Sequence, residues 1–432
     1  MTRYFYKVFS LKQGEFKILS LSTLFILLLF ASYAILRPLR DALGLEGGSE
    51  ELKWLFLGTF ITTLFGSIVA MAVSGMVKRR IYLNVIFIFF ALNLVGFYFA
   101  LHFMSQDSKG FVWLTRIFYI WVSVFNLFII SSAWSLLTDI FNKETSKRLF
   151  GIISAGASLG SILGAFGVGT LSSLINTRDF VLISIFLLLL VLGLKSLLLR
   201  ESCKDLERDE KVKFDERFNK PVGSKNPFIG FRLIITSKYL LAFAGFIFLL
   251  TSVSTFLYME QARIIGELFP KTMQGYKEAR AGAFANIDLI VQSLSFFIQI
   301  FFTAKIAQYF GVKYLLSILG FIIGIGFIIL SFTHPALLPM IIVMSVRRVG
   351  EYALIKPGRE MLFVPMDSES KYKVKNFFDT IIYRGGDALS AQLEGVLLKF
   401  GIGFTLFIGA IISFVWGYLG YYLGKGHAKE SE

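Results

Sequence analysis

Apolar runs recur from one end of the chain to the other, each about 20 residues long, the length a helix needs to cross the hydrocarbon core of a bilayer. Short polar breaks separate them. The pattern predicts twelve helical spans, near residues 17–37, 54–76, 81–103, 112–138, 150–173, 179–199, 239–260, 282–304, 314–332, 336–357, 377–398 and 402–424. One break is long. Residues 200–238 are charged and punctuated by Pro221, Gly223 and Pro227, which predicts a linker carrying one amphipathic surface helix. The chain is therefore expected to be an all-α polytopic membrane protein, with a six-helix bundle over 1–199, a linker over 200–238 and a second six-helix bundle over 239–432.

Composition agrees with that pattern. Of the 432 residues, 55% are hydrophobic and 17% charged, below the quarter or so usual in soluble domains. The 48 phenylalanines suit a lipid-facing surface. The net charge of +15 gathers in loops on one side, such as Lys78-Arg79-Arg80, and so reads as topology rather than nucleic-acid binding. With an even number of spans the same asymmetry predicts both termini in the cytoplasm, and the protein is expected in the cell's inner membrane, with the lipid bilayer as its surroundings. Part of the basic excess is available to an anionic solute.

Cys203 is the single cysteine, which leaves no internal disulfide and no cysteine-built metal site. His102, His334 and His427 fall at loops or the tail, which argues against a mid-membrane histidine relay. The N-terminus lacks the features of a cleaved signal peptide, so the first helix is expected to be retained. There is no G-x-x-x-x-G-K-[ST] phosphate loop and no nucleophile–base arrangement. An ATP-hydrolysing pump and an enzyme are both disfavoured, no cofactor is implied, and a monomer is expected to suffice.

The two halves carry a weak internal repeat. LLTDIFNKETSKRLFGIISAGASLG starts at Leu136 and MLFVPMDSESKYKVKNFFDTIIYRGGDAL at Met361. Asp139 and Asp367 hold matching places, as do Lys147 with Lys375 and Gly156 with Gly386. Related halves joined by a linker resemble major-facilitator-type transporters, whose solute site lies between the halves. Span 5 adds Gly156, Gly160 and Gly164, a small-residue face for close helix packing or for sliding during a transport cycle.

Charged side chains at membrane depth are expensive, so they mark candidate sites. In span 1, Arg37 and Asp41 are four apart and expected to pair, Pro38 interrupts the backbone ladder, and Arg40 has no neighbour at that spacing. Snorkelling of both arginines to the interface is the alternative. Arg116 in span 4 reads as an interface anchor, and Asp139 as part of a gate facing the basic loops. Glu260 and Arg263 in span 7 are three apart and can neutralise each other. Asp288, Gln292, Ser295 and Gln299 form one polar face of span 8, turned either to a wet cavity or to neighbouring helices. Span 10 offers the pairs Arg347–Glu351 and Lys356–Glu360, which leaves Arg348 and Arg359 near Tyr352 seeking anions, with a break expected at Pro357-Gly358. In span 11, Asp379, Tyr383 and Asp387 share a face that continues to Glu394. Arg384 stands three from Asp387, and Gly385-Gly386 is a candidate flex point.

Three stretches resemble the non-mitochondrial ATP/ADP translocases, the nucleotide transporters of plastids and intracellular bacteria. EYALIKPGREMLFVPMDSESKYKVKNFFDTIIYRGG is the strongest; YAILRPLRDAL and WSLLTDIFNKETSKRLFG are the others. They occur in order and in both halves. The resemblance implies exchange of ATP for ADP, or of a related phosphorylated anion, by alternating access. By motif position it implies substrate contacts from Arg37, Arg40, Arg348, Lys356, Arg359 and Arg384, since guanidinium forks match phosphate oxygens; Tyr352, Asp379 and Tyr383, on the faces described above, complete the candidate substrate site. Gate or coupling roles fall to Asp139, Asp288, Asp367, Asp387 and Glu394. Where the translocases carry a Lys-Ser-Gly-Gly run, this chain has Asp387-Ala388-Leu389-Ser390, an acid in place of a base. That exchange keeps open a proton-coupled transporter of another solute, with Asp288, Asp387 or Glu394 taking the proton.

Overall fold

The computed structural model describes residues 15–105, 108–141, 143–204, 208–220, 234–301, 303–362, 374 and 377–430. They are helical almost throughout, as segments in lipid must be when no water is at hand to satisfy backbone groups. The first half consists of α1 (Glu15–Gly44), α2 (Leu52–Met76), α3 (Arg79–Phe103), α4 (Lys109–Ile140), α5 (Lys143–Leu171) and α6 (Phe180–Ser202). The linker holds α7 (Arg208–Asn219), the surface helix expected there. The second half has α8 (Lys238–Leu268), α9 (Tyr276–Phe301), α10 (Thr303–Thr333), α11 (Leu337–Gly350), α12 (Lys356–Leu362), α13 (Tyr383–Leu397) and α14 (Ile402–Glu430).

Among the described residues ten helices are long and apolar enough to cross a membrane unbroken. The spans expected near 336–357 and 377–398 are not continuous α-helix. α11 passes through a π-segment, Glu351–Ile355, into α12, and a second π-segment, Phe378–Ile382, leads into α13. The break expected at Pro357-Gly358 thus falls one turn earlier. Proline has no N–H to donate to the ladder, and the wider turn lies just upstream of it. Gly385-Gly386 lies inside α13. A Cβ at Gly386 would collide with Thr251 of α8, so this glycine serves close packing and not a bend.

The helices group into two compact units. One gathers residues up to Leu43, Ser67–Ser224 and Lys277–Gln292; the other gathers Gly44–Gly66, Lys225–Tyr276 and Ser293–Glu432. Two segments therefore group across the division that the linker predicts. The start of α2 joins the second unit, where Gln392 donates to the Lys53 carbonyl at 3.1 Å and Phe56 meets Tyr258 edge-on. The start of α9 joins the first unit, where Lys277 lies 4.5 Å over the Phe111 ring.

Each unit has a seam of backbone contact. In the first, Gly156, Gly160 and Gly164 of α5 face α1. A Cβ at Gly160 would run into the Leu27 carbonyl, and at Gly156 or Gly164 it would stand 2.8 or 2.7 Å from the carbonyl oxygen of Thr23 or Ala31. Ser32 and Ser184 tie α1 to α6 by a buried 2.7 Å hydrogen bond. In the second, α10 packs on α14 with Gly320 against Gly417 and Gly420 against the Leu316 carbonyl. Small residues allow backbones this close, which is how helices associate where lipid removes the hydrophobic drive. Phe65, Phe89, Phe166, Phe186, Phe297 and Phe407 stay exposed, as a lipid-facing surface requires.

Candidate functional site

The first unit places its charges on α1, α4 and α9. The expected Arg37–Asp41 pair is not made. Arg37 Nε instead lies 3.4 Å from Asp288 Oδ2 of α9. Asp41, 3% exposed, accepts from Arg40 Nε at 2.8 Å and Arg40 Nη2 at 2.6 Å. The reason is geometric: the neighbouring fork reaches one carboxylate oxygen with two donors, and Arg37 is left to face the polar stripe of α9. Arg40 also stacks 5.0 Å over Tyr119 and donates to Ser123 Oγ at 3.3 Å, both on α4. It is thus fixed in position and not snorkelling.

Asp139, near the end of α4, accepts from Arg79 Nη1 at 2.9 Å. Arg79 belongs to the basic stretch at the start of α3, and its backbone N–H bonds the Lys220 carbonyl at 3.0 Å. Arg116 lies 4.5 Å over Trp113, an anchor-like contact. Asp367 and the side chains of Lys147, Gln299, Glu360 and Lys375 lie outside what the structure describes, so the gate expected from Asp367 and the Lys356–Glu360 pair have no geometry here.

The second unit holds a denser cluster around its two π-segments. Arg347, Arg348 and Glu351 are all buried. Glu351 accepts from Arg347 Nη1 at 3.1 Å and from the Tyr383 hydroxyl at 3.4 Å, so a carboxylate of the first wide turn reaches the residue that follows the second. Single π-turns inside helices recur at functional sites because they re-aim side chains. Arg359 does not lack an acid: its Nη1 lies 3.0 Å from Asp379 Oδ1. Arg348 likewise has an interaction within the fold. Spacing along one helix does not reveal Asp379 as the partner of Arg359, because another segment delivers it. Lys356 stands 3.9 Å over the Tyr352 ring. Arg384 Nη1 is 3.5 Å from Asp387 Oδ2, and Asp387 also accepts from Thr255 of α8 at 3.1 Å.

Around these turns the described side chains bring together five cations (Arg347, Arg348, Lys356, Arg359 and Arg384) against three acids (Glu351, Asp379 and Asp387). Such a surplus at membrane depth favours an anion.

A second buried chain of charges runs from α8 to α13. Arg263 bonds Glu260 on its own helix, as the spacing predicts, and Glu394 of α13 through its other nitrogen at 2.5 Å. His334 Nδ1 is 2.5 Å from the remaining Glu260 oxygen. Glu394 is therefore engaged by an arginine.

Sequence reasoning passed over Lys277 and Arg280, both buried at the start of α9 in the first unit. Lys277 stands eleven residues before Asp288, on the same helical face, so extending the polar stripe backward would have found it. It also passed over Lys195, buried near the end of α6.

Residues 18–353 match the Major Facilitator Superfamily. Among curated proteins, "ADP,ATP carrier protein 5" of Rickettsia bellii is 23% identical over 91% of this chain and 88% of its own. Among solved structures, the inward-open xylose transporter XylE from E. coli superposes with a TM-score of 0.65 at 14% identity, over 94% of this chain and 95% of that one. A POT family transporter in complex with a thioalcohol-conjugated peptide gives 0.63 at 12% identity, with 94% and 96% covered. A bacterial homolog of the human lysosomal transporter Spinster gives 0.60 at 15%, with 97% and 99% covered.

Proposed function

The chain belongs to the Major Facilitator Superfamily, and from that membership we propose that this secondary transporter exchanges nucleotides, ATP for ADP, or a related phosphorylated anion. It is a multi-pass membrane protein, and the exchange proceeds by alternating access. The observation that carries the reading is the cation surplus among the described side chains around the two π-segments. A triphosphate leaving water needs several guanidinium or ammonium groups already in place, since fixed donors replace its hydration shell without reorganising. The carrier-protein relative, which covers nearly the whole chain, supports the same direction.

In this scheme Arg40, Arg348 and Arg384 hold the anion. Arg37, Lys356 and Arg359 add field, while Tyr352, Asp379 and Tyr383 position them. The Arg79–Asp139 bond is one half of a gate on the cytoplasmic side, where both termini lie, and Asp367 with its basic loop is the other half. The two six-helix halves, 1–199 and 239–432, are the moving bodies, and one chain is sufficient. The test is uptake of labelled ATP or ADP into vesicles carrying the purified protein, with and without internal nucleotide. Exchange that needs internal nucleotide supports the reading; no exchange and no binding of any phosphorylated solute defeats it.

A second reading rests on Asp387, which stands where the translocases are basic and is held by Thr255 and Arg384. It makes the protein a proton-coupled transporter of another solute, with Asp288, Asp387 or Glu394 as the proton acceptor. Transport unaffected by an imposed pH gradient rules that out.

A further inference from the structure

We propose that a cavity of 620 Å3 at the junction of α3, α6 and α7 binds a phosphate-bearing anion, at a site separate from the charge clusters of transport. The electrostatics are one-sided. Among the described residues Arg80, Lys195, Arg200, Lys204 and Lys211 line it with one acid, Asp215. Asp215 is 3.6 Å from Arg80, and Lys204 is 3.1 Å from Glu201. Among the described residues no acid pairs with Lys195, Arg200 or Lys211.

Lys195 is the most telling. It is 3% exposed, and among the described residues its ammonium meets neutral oxygens alone, the Arg80 carbonyl at 2.5 Å and Asn84 Oδ1 at 2.9 Å. An ammonium has three protons to donate, so one remains for the cavity. A buried charge held by neutral oxygens alone is costly, and an anion in the cavity offsets that cost. The location fits a phosphate ester. The cavity lies where the apolar run of α6 gives way to Arg200 and Lys204, the depth of lipid headgroups, and Ile81 and Leu199 give it an apolar wall. A phospholipid headgroup and a free phosphate compound share this chemistry.

Cys203, the chain's single cysteine, lines the same cavity and reports on it. The experiment measures its alkylation by N-ethylmaleimide in full-length protein reconstituted in phosphatidylcholine vesicles. One arm adds phosphatidylglycerol to the bilayer; another adds inorganic pyrophosphate to phosphatidylcholine vesicles, matched by chloride at equal ionic strength. Slowed labelling with phosphatidylglycerol identifies a lipid headgroup site, and slowed labelling with pyrophosphate a free-phosphate site. The double variant Lys204→Gln/Lys211→Gln changes two exposed side chains and keeps the fold. Its half-protecting concentration rises about fivefold for each lysine removed. Each protein is compared with itself, because Lys211 also acts on the thiol directly. Unchanged labelling in both arms, or equal protection in the double variant, overturns the proposal. Neither result bears on exchange across the membrane, so this site and the transport reading stand or fall separately.

Discussion

Replacing Asp387 by Asn removes one negative charge from the crowded part of the second unit while keeping the side chain's size. The carboxylate is 8% exposed, 3.5 Å from Arg384 and hydrogen-bonded by Thr255. At that separation and an effective dielectric constant of 20, the attraction between the two charges is about 5 kcal/mol. Partial exposure of Arg384 reduces it. An arriving anion must compete with Asp387 for the same guanidinium. If only about 1.5 kcal/mol of the attraction is released to the ligand, affinity for a phosphorylated anion rises about tenfold. The assay is equilibrium binding of labelled ATP and ADP to purified protein at low and physiological salt, where the gain shrinks as screening grows. Thr255→Val deletes the hydroxyl but leaves the charge, and so gives no comparable gain. Unchanged or weaker nucleotide binding by a normally folded Asp387→Asn protein, checked by thermal unfolding, refutes the reasoning.

Three further outcomes are expected. Glu394→Gln deprives buried Arg263 of one of its two carboxylates and lowers stability by about 3 kcal/mol; the triple change Glu260→Gln/Arg263→Met/Glu394→Leu, which leaves no carboxylate of that buried chain of charges uncompensated, recovers most of it, as read by chemical denaturation. Gly160→Ala forces α5 off the Leu27 carbonyl and costs about 1–3 kcal/mol, whereas Gly167→Ala, with open space around it, is neutral or slightly stabilising in the same measurement. Burial, and then Asp215, push the Cys203 thiol above the ordinary cysteine range. Less of it is thiolate at neutral pH, so alkylation is slow there and accelerates only at higher pH; Asp215→Asn moves the profile toward lower pH. A Cys203 profile matching that of a free thiol contradicts this.

What could be read without coordinates was whatever is local. Hydropathy located the helices, and pairs one turn apart, Arg347 with Glu351 and Glu260 with Arg263, formed as their spacing requires. The glycine face of α5 was equally plain. Partners far apart in the chain were not legible. Arg37 finds Asp288, Arg359 finds Asp379 and Arg263 finds Glu394, because each acid is delivered by another segment whose rotation no spacing rule predicts. The wide turns escaped for a related reason: a π-segment has no composition of its own, and the visible proline sits just downstream of the first. Lys195 drew no notice because nothing in its spacing marks a lysine that the fold then buries.

The two wide turns carry an implication for how this region tolerates change in length. Each holds its hydrogen bonds one residue farther along than an α-turn does, so deleting a single residue from 351–355 would let the helix close into ordinary α geometry. The helix would stay intact and everything beyond the deletion would keep its direction, whereas the same deletion within α11 would turn it by about 100°. Arg359 would keep Asp379 after the first deletion and lose it after the second, without any substitution at either position. In this segment the number of residues is as informative as their identity, and comparing related chains here requires counting across the turn before matching its side chains.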